Sequence, residues 1–369
     1  MRIVIDGRML GWTGIGRYTS HVLQELAALD ADTHYVVLVR RDGMQSWTPP
    51  GPNFDAVVAD FAPYGWSEQA RLPRQVRNLR PDLVHFTHFN APFAYREDFA
   101  VTVYDTTMLR FPSHCDTSAV RALARAPKRA LARRVMDSAV SRARTVFTLS
   151  RHTANELTET FGVDPDRIRV TYAAADKSGD LEESVPDVDG RDPFILYVGN
   201  AYPHKNLDLV IEAMRGLVRQ HHDLRLVLAG PDDECSALLR AKVGASPLND
   251  HIVFVGRVSD PQLTWLYRHG TLFVMPSLSE GFGLTGLEAM AYGLPVVAAR
   301  ASCLPEIYGD AAAYFEPSDP VDLQKALSGL LDDQDHRQRL VNAGAERTAG
   351  YSWRSVAQTT LAGYRQSND

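Results

Sequence analysis

Glu280 and Glu288 bracket Gly281, Gly283 and Gly286 in the stretch SEGFGLTGLEAM. Carboxylates accept hydrogen bonds from the hydroxyls of a sugar or a ribose. Glycines without a Cβ let backbone N–H groups approach a ligand closely. A helix starting just behind them offers unpaired donors and roughly half a positive charge, which suits a diphosphate. A purely local alternative exists. Thr285 and Glu288 have the S/T-x-x-E spacing of a capping box, in which Glu288 only caps a helix.

Other stretches carry compatible chemistry. VGNAYPHKNLDLVIEAM (198–214) places Gly199 at a strand end, with His204 and Lys205 at the entry to a helix. Lys205 supplies a point charge for phosphate or, alternatively, is a solvated surface lysine. LVLAGPDD (226–233) and VFVGRVSD (253–260) end two more strands in loops with Gly230 and Arg257. Four such loops at one sheet edge predict a nucleotide-diphosphate pocket. Near the start, DGRMLGWTGIGRYTSHVLQEL (6–26) reads strand, glycine loop, helix, with Gly14, Gly16 and Arg17 at the helix entry. Residue 19 is Thr, so the G-x-G-x-x-G dinucleotide fingerprint is incomplete. LVHFTHFNAP (83–92) and VTVYDTTMLRFP (101–112) set His85, His88, Tyr104 and Asp105 after strand ends. These are candidate substrate contacts; the alternative is that the histidines are structural.

These residues need a scaffold of parallel strands. Apolar runs at 2–6, 35–39, 56–59, 83–86, 100–104 and 145–149 form a first set, and runs at 194–199, 224–230, 252–256, 272–276, 295–299 and 312–315 a second. Helical patterns lie between many of them, so the chain reads as α/β with buried parallel sheets. The pattern restarts near 194, after an acidic stretch (173–193) without a long apolar run. The expected organisation is a first domain over 1–172, a linker over 173–190, a second domain over 191–350 and a terminal helix over 351–369. A length of 369 residues also favours two cores over one.

Composition excludes some classes. A net charge of −6 gives no overall basic excess for nucleic acid. Cys115, Cys235 and Cys303 fit neither a disulfide framework nor a CxxC metal site. They read as three thiols in a reducing cytoplasm. MRIVIDGRML is too short and too charged for a signal peptide, and no window approaches 18 uninterrupted apolar residues.

Over nearly its whole length the chain resembles retaining glycosyltransferases of family 4, with the GT-B fold. The segment 276–320 holds the E-x7-E signature as Glu280 and Glu288; TGIGRYT, PHKNL and 146–174 fit as well. Within the family it is most similar to bacterial GDP-sugar-dependent mannosyltransferases. The resemblance implies two Rossmann-like, doubly wound domains facing across a cleft, with a C-terminal helix crossing back to the first. It implies that Glu288 binds the ribose and that Glu280 faces the transferred sugar beside the amides of Gly281, Phe282 and Gly283. Lys205, the amides of Leu284 and Thr285, and Gly16 would neutralise the diphosphate. It implies a metal-independent transfer without a cofactor, from a nucleotide-sugar donor with GDP-mannose as first guess, UDP- and dTDP-sugars standing as alternatives. The acceptor would be a glycan, a lipid-linked or a small molecule in envelope polysaccharide or glycoconjugate synthesis. Three positions depart from the family pattern: His204 replaces an arginine, Tyr104 a histidine, and Thr285 a proline.

Breaking the sugar–phosphate bond builds negative charge on the leaving diphosphate, which pre-aimed cations and amides stabilise. The segment 121–144 carries eight basic residues against Asp137. It predicts a helix broken or kinked at Pro127, either a solvated face or a peripheral contact with anionic membrane. Two further readings of the whole chain stand: another GT-B reaction such as epimerisation or phosphorolysis, or sugar-nucleotide binding without catalysis.

Overall fold

The computed structural model describes residues 1–62, 65–111, 115, 119–176 and 179–366, with the side chains of 13 and 119–128 not described. The chain divides into two compact units. Unit 1 comprises Met1–Leu109, Leu123–Ala173 and Ser352–Asp369; unit 2 comprises Arg110–Ala122 and Ala174–Tyr351.

Unit 1 holds seven strands: β1 (Arg2–Asp6), β2 (His34–Val39), β3 (Phe54–Val58), β4 (Leu83–Phe86), β5 (Phe99–Val103), β6 (Thr145–Thr148) and β7 (Ile168–Val170). They pair in parallel in the order β3-β2-β1-β4-β5-β6-β7, with Ile3 between Tyr35 and Leu83. The Val/Ile/Leu runs are buried on both faces, as parallel strands covered by helices must be. β7 was not expected from the sequence. It has three residues, one of them Arg169, and lies at the sheet edge where only Ile168 is fully buried.

The helix Trp353–Gln366 belongs to unit 1 and packs against the helix Thr13–Leu29. Trp353, Val356, Ala357, Thr360, Leu361 and Tyr364 recur at helical spacing and are buried. Trp353 stacks on His21 at 4.5 Å and meets the edge of Tyr18. One helix, Ala119–Arg142, spans the basic segment, so of the break or kink expected at Pro127 the break is absent. Its inner face, Val135, Met136, Ala139 and Val140, is buried, while Arg129, Leu131, Arg133 and Arg134 are exposed.

Unit 2 holds six parallel strands: β8 (Phe194–Val198), β9 (Arg225–Ala229), β10 (Ile252–Gly256), β11 (Leu272–Met275), β12 (Val296–Ala299) and β13 (Ala312–Phe315). The order is β10-β9-β8-β11-β12-β13. The strand order reverses between β8 and β11, which pair through Leu272 and Ile195. Ligands of doubly wound sheets bind outside the carboxyl ends of strands at such a switch.

The acidic stretch before residue 191, expected as a linker, is not without fixed contacts. Val185 and Val188 are buried, Glu182 pairs with Arg268 and His269, and Asp180 also meets Arg268. Two of its acids, Asp180 and Glu182, are thus matched by cations on the helix Asp260–His269. The cysteines are not three thiols either. Cys115 and Cys235, 120 residues apart in sequence, form a disulfide, and buried Cys303 is the free one. Cys115 lies in the 110–122 segment, expected in the first domain, which clusters instead with unit 2. Sequence distance hid a pairing that the fold creates. Among the described residues, no helix is long and apolar enough to cross a membrane.

Candidate active site

The switch between β8 and β11 brings residues 75 apart in sequence together. Beyond β8 the chain turns at Gly199, whose φ is +155°. It then forms the short turn Pro203–Lys205 and enters the helix Leu207–Gln220 through Asn206 in the left-handed conformation. Beyond β11 it reaches Glu280, and Lys205 Nζ lies 2.6 Å from Glu280 Oε1. Both side chains are largely buried, at 17% and 14% exposure. Burial pushes the Glu280 carboxyl up, but Lys205, Ser277 and His204 together hold it below its ordinary value. It is therefore ionised at neutral pH.

The backbone of Glu280 is held from behind. Ser302 Oγ accepts from the Glu280 N–H at 3.1 Å and donates to the Glu280 carbonyl at 2.8 Å. Cys303 Sγ donates to the same carbonyl at 3.2 Å. Ser302 adopts a φ of +54°, a strained conformation that aims its hydroxyl at both groups.

The helix Leu284–Ala291 opens at Gly283, with φ +81° and no side-chain cap. A Cβ on Gly283 would sit 2.5 Å from the Tyr308 hydroxyl, which donates to the Gly283 carbonyl. Among the described residues, no protein acceptor takes the N–H groups of Gly281, Phe282, Gly283, Leu284 or Thr285. Five successive unused amides, with Gly281, Phe282 and Gly283 buried, are an arrangement that can hold an anion.

The capping-box alternative for Glu288 does not hold, because Thr285 lies inside the helix and Gly283 occupies the cap position. Glu288 is buried on the next turn and accepts from the Tyr267 hydroxyl at 3.1 Å. Phe282 packs edge-on to Tyr351.

Neighbouring strand ends complete the edge. The Gly199 N–H donates to the Ala229 carbonyl, and the Gly230 N–H to the Gly256 carbonyl. A Cβ on Gly230 would fall 1.9 Å from the Gly199 carbonyl, so only glycine fits. Arg257, just past β10, is exposed and has no ion-pair partner among the described residues. His204 Nδ1 is buried and takes no hydrogen bond among them. Burial and the Lys205 charge lower the His204 pKa to about 4. The imidazole is thus neutral near pH 7, which leaves Lys205 as the cation of this turn.

In unit 1 the candidate residues divide. His85 donates or accepts at both ring nitrogens within the core, 2.6 Å from the Tyr364 hydroxyl and 2.8 Å from Thr102 Oγ1. With burial lowering its pKa to about 3, it is a structural histidine and not a substrate contact. The Gly16 N–H donates to the Trp12 carbonyl, so it does not serve a phosphate. Gly16 is required instead because a Cβ there would lie 2.1 Å from the Leu10 carbonyl. Arg17 begins the second turn of the same helix. Tyr104 meets the edge of Tyr18 at 5.5 Å and lies 6.2 Å from the His88 ring. His88 is lowered by burial to about 4, so it is neutral. Asp105 accepts from the Thr107 N–H and starts the turn Thr107–Arg110.

Several supporting residues escaped the sequence reading. Arg8 is wholly buried against Asp6 at 2.6 Å and Glu68 at 2.7 Å, and Asn90 donates to Glu68. This network fixes the chain leaving β1. The DGR triplet at the strand end was the available signal; Glu68 had none. Ser302 and Tyr308 lie in ASCLPEIYGD, whose nearness to Glu280 only the β11–β12 pairing reveals.

Residues 12–178 match the family model described as Glycosyltransferase Family 4, and residues 180–347 match Glycosyl transferases group 1. Among curated proteins, the chain is 29% identical over 234 residues to the Escherichia coli serotype-specific mannosyltransferase WbdA, covering 60% of this chain and 29% of that protein. It thus spans under a third of that relative's length. It is 26% identical to the Escherichia coli O-antigen chain mannosyltransferase B, covering 79% and 76%. Among solved structures, sucrose-phosphate synthase from Thermosynechococcus elongatus superposes with a TM-score of 0.77 at 19% identity, covering 99% and 98%. Anabaena HepE in complex with UDP and glucose gives 0.72 at 18% identity, covering 98% of each chain. The two parallel α/β sheets, the returning C-terminal helix and these matches make the chain a member of glycosyltransferase family 4 with the GT-B fold.

Proposed function

We propose that the protein is a retaining, metal-independent hexosyltransferase that uses a nucleotide diphosphate sugar, with GDP-mannose the first candidate donor. The supporting observation is the Lys205–Glu280 pair set beside the unused amides of residues 281–285. In this reading the diphosphate draws Lys205 from Glu280 and accepts hydrogen bonds from those amides. Its charge grows as the sugar departs, so fixed donors favour the transition state over bound substrate. Glu280, released in part and still ionised, takes a hydroxyl of the transferred sugar. Glu288 takes the ribose hydroxyls, and Gly199, Gly230 and Arg257 line the nucleotide side. In unit 1, Arg17, His88, Tyr104 and Asp105 are the acceptor-side candidates. Similarity to O-antigen mannosyltransferases supports mannose and a role in polysaccharide synthesis. A setting peripheral to an anionic membrane rests on the basic segment 121–144; the cytoplasmic assignment no longer has the cysteines behind it.

The test is a thermal-shift and turnover panel of GDP-mannose, UDP-glucose and dTDP-sugars. Donor binding raises Tm by linkage. GDP-mannose is expected to give the largest rise, with GDP released only when acceptor is present. Nucleotide release at the same rate without acceptor would replace transfer by another reaction of the same fold.

A further inference from the structure

A second charged cavity lies in unit 1, at the sheet edge where β6 and β7 begin, opposite the strand ends that carry Tyr104 and Asp105. Arg142, Arg144, Arg167 and Arg169 line a space of ≈ 470 Å³ there. Each arises from a different constraint. Arg142 ends the helix Ala119–Arg142, Arg144 precedes β6, Arg167 precedes β7, and Arg169 lies within it.

Their partners are mostly neutral. Arg142 donates to Ser138 and to the carbonyls of Pro92 and Tyr95. Arg167 uses one nitrogen, Nη2, on the carbonyls of Val140, Ser141 and Ala143 at the helix end. Arg169 donates to the carbonyls of Asp166 and Ile168 and to Gln366 Oε1. Only Arg144 has a carboxylate partner among the described residues, Asp98 at 2.6 Å. These bonds give the arginines a structural duty, but they leave the charge uncompensated. Asp166 also lines the cavity, so among the described residues four arginines line it with one carboxylate, and Asp98 pairs with Arg144. The carbonyl end of the helix adds only about half a negative charge. Burial and the charge of Arg96 lower the Arg142 pKa, as expected in a positive field. Each guanidinium has about five N–H donors, and Arg144 and Arg167 each use a single nitrogen in the bonds above.

We propose that this cavity binds a phosphate-bearing anion at a site separate from the Lys205–Glu280 centre. Guanidinium groups bind phosphate oxygens in pairs, and several on a concave surface select a multiply charged group over a single carboxylate. The phosphate could belong to a soluble phosphorylated molecule or to a phospholipid headgroup; the chemistry at the arginines is the same.

The experiment titrates inorganic pyrophosphate into the full chain at low salt, in wild type, in Lys205→Ala and in the double variant Arg144→Gln/Arg169→Gln. Flotation with phosphatidylglycerol and with phosphatidylcholine vesicles runs in parallel. The double variant leaves Arg142 and Arg167, which tie the helix end, in place, and its Tm is checked against wild type. The expected result is a pyrophosphate-binding component that survives Lys205→Ala, weakens at least about tenfold in the double variant, and fades with salt. A soluble source is indicated by that component alone. A headgroup source is indicated if phosphatidylglycerol flotation, and not pyrophosphate binding, is lost in the double variant. The proposal is overturned if the folded double variant matches wild type in both assays, or if wild type binds neither probe.

Discussion

Lys205 Nζ and Glu280 Oε1 are 2.6 Å apart although the residues are separated by 75 positions in the chain, and both side chains are mostly buried. Removing the cation leaves a buried carboxylate unpaired. Lys205→Ala is expected to lose about 3 kcal/mol of stability and about a hundredfold in kcat. Lys205→Ala/Glu280→Gln should recover most of the stability but not the turnover. Denaturant melts and single-turnover rates check this; a double variant as unstable as Lys205→Ala would mean the pair does not carry the cost.

Ser302 holds both backbone groups of Glu280 from a left-handed conformation. Ser302→Gly keeps that backbone accessible and removes both bonds. Turnover is expected to fall about tenfold, the size of roughly one net hydrogen bond, with little change in Tm. Ser302→Ala keeps the strain of about 1 kcal/mol that Ser302→Gly relieves, and should melt earlier than Ser302→Gly. Unchanged turnover in the folded glycine variant would remove Ser302 as a positioning residue.

Gly283 tests the proposed anion site. Alanine there meets the Tyr308 hydroxyl and must hold a φ of +81°, at a cost of about 2 kcal/mol. Nucleoside diphosphate affinity should fall with it. Tyr308→Phe removes the clash partner's hydroxyl and its bond to Gly283, so its loss of affinity should be smaller. Calorimetric titration with GDP and UDP reads both; wild-type affinity in Gly283→Ala would place the phosphates elsewhere.

Acid should weaken the fold. His85, His88 and His204 have pKa values lowered by burial to about 3, 4 and 4, from 6.5. Between pH 6.5 and 4 the unfolded chain binds protons that the folded chain refuses, so stability falls as pH drops through that window. Glu280 acts lower. Its depressed pKa adds stability above about pH 4.5 that disappears with further acid. His204→Gln should flatten part of the slope from pH 6.5 to 4. A denaturation midpoint independent of pH over that range would contradict the neutral burial of these rings.

The disulfide gives a direct count. Denatured without reductant, the chain should present one thiol, Cys303, and three after reduction. Cys235→Ser should lower stability by about 2–4 kcal/mol. Three thiols without reductant would exclude the Cys115–Cys235 bond.

Much of this was legible in the residues. Twelve apolar runs foretold twelve strands, because a strand buried on both faces must be apolar throughout. β7 was missed because an edge strand of three residues with Arg169 in the middle has no such requirement. Glu280, Lys205 and Gly283 announced themselves by residue type beside strand ends. Ser302 and Tyr308 did not, since a serine and a tyrosine become significant only when strand pairing sets them beside Glu280 and Gly283. The role of His85 was not readable either. Thr102 is 17 residues on, in the neighbouring strand, but Tyr364 is 279 residues on, and only the returning C-terminal helix supplies it.

The most direct measurement is a crystal structure with bound GDP or UDP. The expected result is a terminal phosphate with oxygens about 3 Å from Lys205 Nζ and from amides of residues 281–285, with the Lys205–Glu280 contact lengthened. A diphosphate bound away from both Lys205 and those amides would contradict the assignment of this centre.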